Sequence, residues 1–110
     1  MSRPRDIGTE WETRCVNWLR DNGYYEHAER RALAGALDKG DLLIPGLMAE
    51  CKAEKRIDLP GYMREVEVQT ANCPPSTIGF AWVKARGQSI EKSFVVMRPR
   101  TWFDLVLPNG

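Results

Sequence analysis

The chain has 110 residues, 43% of them apolar and 28% charged, which is the make-up of a single globular domain with one modest core. Its 16 Lys and Arg face 15 Asp and Glu for a net charge of +1, so the total charge is nearly neutral evidence on a nucleic-acid partner. No apolar run is long enough to span a bilayer, and the start Met-Ser-Arg-Pro-Arg-Asp lacks the apolar core of a signal peptide, which predicts a cytoplasmic protein with no membrane contact.

In chain order, the first element is an amphipathic helix over about residues 9–22. Ile7, Trp11, Cys15, Trp18 and Leu19 recur at helical spacing, and Asn22-Gly23 supplies a stop. Glu12 lies beside this stripe, while Thr9-Glu-Trp-Glu also reads as a capping box in which Glu12 bonds back to the N-cap amide. Residues 24–31 read as a first strand, and Ala34-Gly35-Ala36 as a pliable loop leading into a hairpin. Pro45-Gly46 separates two short apolar runs, residues 42–44 and 47–49, and so predicts two strands joined by a tight turn. Beyond them Asp58 can cap a second helix with Pro60 in its first turn. Leu59, Met63, Val66 and Thr70 supply one face before Cys73-Pro-Pro ends it. Gln69 falls in this helix, where a solvated face is the expected place for it.

Residues 77–83 and 94–97 read as two further strands, and residues 101–107 as a closing helix after Pro99. The predicted order is αβββαββα, an α/β domain over residues 1–110 with helices flanking a mixed sheet. Trp82, Trp102 and Phe103 are expected as core or dimer anchors rather than base-stacking platforms. Cys15, Cys51 and Cys73 are odd in number and lack CxxC spacing, which points away from a disulfide framework or a zinc knuckle. Cys15 and Cys51 suit small core positions. His27 has no consistent ligand set around it in sequence.

The hairpin carries the chemistry. If Ile44 faces Leu47, counting outwards sets Leu43 opposite Met48, Leu42 opposite Ala49 and Asp41 opposite Glu50. Like charges so opposed repel, and a cation relieves them. Side chains alternate along a strand, so Glu50 and Lys52 share the face of Asp41 while Cys51 points behind with Ala49 and Ala53. Hard cations such as Mg²⁺ or Mn²⁺ take one or two carboxylates, keep waters and accept substrate phosphate as a further ligand. Asp41 and Glu50 suit that role, and Lys52 suits orienting the attacking water or neutralising phosphate charge. The bland reading is a surface hairpin with ordinary charges at its strand ends. The basic pairs Arg3 and Arg5, Arg30 and Arg31, and Lys55 and Arg56 bracket these residues. They read either as phosphate contacts or as a solvated surface.

Acid, turn, then acid-x-Lys in Asp41, Glu50 and Lys52 resembles the PD-(D/E)xK nuclease superfamily. Within it, the chain is similar to archaeal-type Holliday junction resolvases and their phage-encoded relatives. The stretch Trp11-Glu-Thr-Arg-Cys-Val-Asn-Trp-Leu-Arg-Asp-Asn-Gly-Tyr resembles the first resolvase helix, with Glu12 in the place of its catalytic acid. The resemblance covers nearly the whole chain in element order. It departs at Gly40, where proline is expected, and in residues 32–36, which offer no hydroxyl residue. It implies a restriction-endonuclease-like core and catalytic roles for Glu12, Asp41, Glu50 and Lys52. It also implies a Mg²⁺ ion, replaceable by Mn²⁺, on Asp41, Glu50 and the Cys51 backbone carbonyl. A polar residue such as Gln69 is expected near the site. The implied protein is a homodimer that makes paired nicks in four-way DNA junctions, in the host cytosol if phage-encoded. The alternatives are a small nuclease of the same superfamily acting on flaps, nicks or duplex, and a non-catalytic DNA-binding module on the same fold.

Overall fold

A computed structural model describes residues 4–32 and 38–107. Its elements run α1 (Pro4–Asp21), β1 (Glu29–Arg30), β2 (Leu42–Leu43), β3 (Leu47–Lys52), α2 (Leu59–Ala71), β4 (Ile78–Val83), a 3-10 turn (Ile90–Lys92), β5 (Phe94–Val96) and α3 (Pro99–Val106). Among the described residues this is an α/β fold with three helices and a mixed three-stranded sheet in the order β3-β4-β5. β3 and β4 are parallel, with Glu50 beside Ala81 and Lys52 beside Val83. A parallel pair needs a crossover, and α2 provides it. β5 then returns antiparallel to β4, and β1 and β2 form a separate two-stranded ribbon.

Alternation along β3 and β4 divides the core in two. Ala49, Phe80 and Trp82, with Cys51 and Ala53, pack against Trp11, Cys15 and Val16 of α1. Met48, Ala81 and Val83 point the other way, onto Tyr62, Met63 and Val66 of α2. The Trp11 indole donates to the Trp82 carbonyl at 3.0 Å, so a buried polar group is satisfied while α1 is tied to the sheet. The small residues expected behind the acidic face are therefore where alternation puts them. Among the described residues no helix is long and apolar enough to cross a membrane.

α1 begins at Pro4 rather than near residue 9, with proline in the first turn where its missing N–H costs nothing. Thr9-Glu-Trp-Glu therefore lies inside the helix and is no capping box. The expected stop holds, since Gly23 donates to the Arg20 carbonyl and Tyr24 to the Leu19 carbonyl, the paired bonds of a Schellman ending. The first strand shrinks from residues 24–31 to Glu29–Arg30. Tyr24 stacks on Trp18 at 5.2 Å and Arg20 Nε donates to the Ala28 carbonyl, which folds residues 24–28 against α1 instead of extending them. The loop expected at Ala34-Gly35-Ala36 lies outside the described residues.

α2 has the expected cap, with Asp58 accepting from the Gly61 amide. Leu59 is exposed, however, and Tyr62 and Gln69 are buried with Met63 and Val66. α3 starts at Pro99, and none of its residues is buried. Trp82 is in the core as expected, whereas Trp102 and Phe103 are 51% and 54% exposed and have no core role.

The hairpin closes at Pro45-Gly46, where Gly46 has φ +81° and the Leu47 amide donates to the Ile44 carbonyl. A positive φ at the second central position matches a type II turn. Such a turn does not match strand twist, and pairing does not continue in the expected register. Ile44 bridges Leu47, but the Asp41 amide bonds to the Ala49 carbonyl, so the expected Asp41–Glu50 opposition is out by one residue. β2 pairs with β1 instead, and Leu42 is fully buried in the α1 side of the core.

Candidate active site

The slipped register still delivers the Asp41 carboxylate to the outer edge of β3. Its Oδ2 accepts from the Cys51 amide at 2.7 Å. The Lys84 amide takes the Lys52 carbonyl on the opposite edge, and backbone groups alternate along a strand. The Cys51 amide and carbonyl therefore both face Asp41. Glu50 is buried, and its Oε2 has no hydrogen-bond partner among the described residues. Lys52 Nζ lies 3.4 Å from Glu50 Oε1, pairs with Glu65 and sits 5.3 Å from the Tyr62 ring centre. The Tyr62 hydroxyl in turn donates to Glu54.

Burial pushes the Asp41 carboxyl up to about 6, against the Cys51 amide and with help from Glu12 and Asp38. Burial and then repulsion from Asp41 push Glu50 up to about 7, with Lys52 pulling the other way. Burial works against the Lys52 ammonium, yet its bonds to Glu65 and Glu50 outweigh that and hold it above the usual lysine range. The Cys51 thiol is held protonated, first by its hydrogen bond with Cys15 and then by burial. The residue thus offers its carbonyl oxygen rather than a thiolate. Repelling carboxylates, one with an orphaned buried oxygen, suit a hard divalent cation. Among the described residues no group of three or more His, Cys, Asp and Glu side chains can hold a metal by itself. Asp41, Glu50 and the Cys51 carbonyl make an oxygen-only partial set, which fits an ion that keeps waters and takes phosphate as a ligand.

Glu12 bonds Arg30 Nε at 3.1 Å and acts on Asp41 through its charge. Gln69 is not on a solvated face. It is 7% exposed, Nε2 donates to Asp38 Oδ2 at 3.1 Å, and Oε1 is buried without a partner among the described residues. Asn72 Nδ2 also donates to the Asp38 carbonyl, so α2 pins the segment that enters the hairpin. Asp38 and Glu65 were not read from the sequence. Tyr62, Glu65 and Gln69 at i, i+3 and i+7 mark one α2 face, and that spacing was the available signal.

The basic pairs divide. Arg30 is matched to Glu12, and Arg31 is half-buried beside a cavity of about 420 Å³ that Lys39 also lines. Lys55 and Arg56 instead line a cavity of about 860 Å³. Arg3 lies outside the described residues, as does the Arg5 side chain. His27 is exposed beside Glu26. Comparison with protein-family models, with curated proteins and with solved structures finds no match to this chain.

Proposed function

We propose that the chain is a metal-dependent DNA endonuclease on a restriction-endonuclease-like fold, acting as a homodimer on four-way junctions in the cytoplasm. The observation that carries this is the convergence on the β3 edge of Asp41, Glu50 with its orphaned oxygen, and the Lys52 ammonium. In this reading Asp41, Glu50 and the Cys51 carbonyl hold Mg²⁺ or Mn²⁺. The bound ion supplies Lewis acidity and a more acidic water. Lys52, fixed between Glu50 and Glu65 over the Tyr62 ring, presents a localised positive charge to the phosphate under attack. Glu12, placed by α1 within electrostatic reach of Asp41, adds negative charge that favours the cation.

The dimer is supported by two exposed apolar features. Thr101 of α3 is half-buried at a cavity shared with Met63 and Val66, whereas Trp102, Phe103 and Val106 are about half exposed. β5, last in the sheet order, exposes Phe94 and Val95. A two-fold dimer would supply the two equivalent sites that paired nicks require.

Incubation of purified protein with labelled four-way, flap and linear DNA, with and without Mg²⁺, tests the reading. Metal-dependent paired nicks in the junction are expected. A preference for flaps or duplex would move the assignment to a small nuclease, and binding without cleavage in Mg²⁺ or Mn²⁺ to a non-catalytic module.

A further inference from the structure

The cavity of about 860 Å³ opens just beyond the C-terminal ends of the parallel strands β3 and β4, the usual place for ligands in α/β sheets. Its walls come from three parts of the chain. Lys55 and Arg56 follow β3, Lys84 and Arg86 follow β4, and Ile7 and Glu10 of α1 form the third side. The Lys84 amide bonds to the Lys52 carbonyl, so the groove begins next to the proposed catalytic lysine.

Four cations thus meet in one concave surface. Arg30, Lys52 and Arg98 each have a carboxylate partner, but among the described residues Lys55, Arg56, Lys84 and Arg86 form no ion pair. Glu54, also at the groove, is engaged by the Tyr62 hydroxyl. Side chains scattered on a solvated surface need no such concentration. Four cations against the two carboxylates Glu10 and Glu54 leave the groove with a positive excess, which an anion that spans the cations relieves, and a phosphodiester backbone repeats its charge at short intervals.

We infer that this groove is a track for the DNA backbone, gripping phosphates next to the cleavage site through Lys55, Arg56, Lys84 and Arg86. The identity of the anion as DNA rests on the nuclease reading, whereas the grip itself needs no metal. The groove contributes affinity and position without reading bases.

Fluorescence anisotropy with labelled duplex and four-way DNA in EDTA, over a series of salt concentrations, tests it on the full chain. Lys84→Ala with Arg86→Ala should weaken binding by at least about tenfold and reduce the log–log salt slope by roughly two, near one per lost phosphate contact. Lys55→Ala with Arg56→Ala, on exposed side chains of the other wall, should do the same. Circular dichroism checks that both pairs fold. Arg64→Ala with Lys92→Ala removes equal charge from exposed sites outside the groove and should change affinity by less than about twofold. Equal losses in groove and control pairs, an unchanged salt slope, no DNA binding by the parent chain, or tighter binding of duplex RNA than of DNA would each overturn the inference. Groove-dependent binding by a protein that never cuts DNA would uphold the track and reject the nuclease.

Discussion

Asp41 and Glu50 stand at about 6 and about 7 in the folded chain, against ordinary values of 3.8 and 4.5. Between those limits the folded state binds more protons than the unfolded one, so the metal-free protein loses stability as pH rises through 6 and 7. Thermal melts in EDTA should show a lower midpoint at about pH 8 than at about pH 5. Asp41→Asn or Glu50→Gln should flatten that dependence while abolishing cleavage in Mg²⁺. A midpoint that climbs over this range, or near-parental cleavage by either variant, would reject the site. Lys52 plays a different part, because it contacts carboxylates rather than offering oxygen. Lys52→Ala should slow cleavage by roughly two to three orders of magnitude, since a preorganised charge at a transition state is worth roughly 2.7–4 kcal/mol. Titration calorimetry should find Mg²⁺ binding retained. The three central residues were legible in sequence because acid, turn and acid-x-Lys are close together along the chain. Asp38 and Glu65 were not, and Gln69 was named only through the resemblance and expected on a solvated face, since their places depend on how α2 lies across β3.

The hairpin shows how an element can be read correctly in kind and wrongly in register. Pro45-Gly46 announced the turn, but Leu42 is fully buried and β2 pairs with β1, and these tertiary demands shift Asp41 by one residue. Gly40 makes the shift possible. It has φ +93°, and a Cβ there would lie 2.6 Å from Met48 Sδ and 2.9 Å from the Ala49 carbonyl oxygen. Gly40→Ala should destabilise the fold by about 1–3 kcal/mol and displace the neighbouring Asp41. Urea unfolding together with Mg²⁺ titration checks both effects, and a variant with parental stability and metal affinity would show that the approach is not tight. α2 was legible to its cap because Asp58 and Pro60 are local signals. The true start of α1 and the brevity of β1 were not, because the contacts that set β1, Tyr24 on Trp18 and Arg20 on Ala28, are tertiary or turn-specific.

At the scale of the whole molecule, α3 and β5 leave an apolar surface that α1, α2 and the sheet do not cover. If a second copy covers it, sedimentation should show a dimer, and Trp102→Lys with Phe103→Glu should give a monomer of largely unchanged thermal midpoint at low concentration. A doubly substituted chain that remains dimeric would place the interface elsewhere. The tryptophans offer a second view of the same question. Trp11 and Trp18 meet Trp82 edge-to-face at 6.2 and 5.7 Å, and Trp102 stands apart on α3, 51% exposed. Intrinsic emission should therefore have two separable sources, a short-wavelength cluster that reports whether α1 is docked and a long-wavelength indole that reports what lies over α3. In Trp102→Phe the spectrum would follow folding alone, so its difference from the parent spectrum on dilution becomes an optical measure of assembly that needs no label.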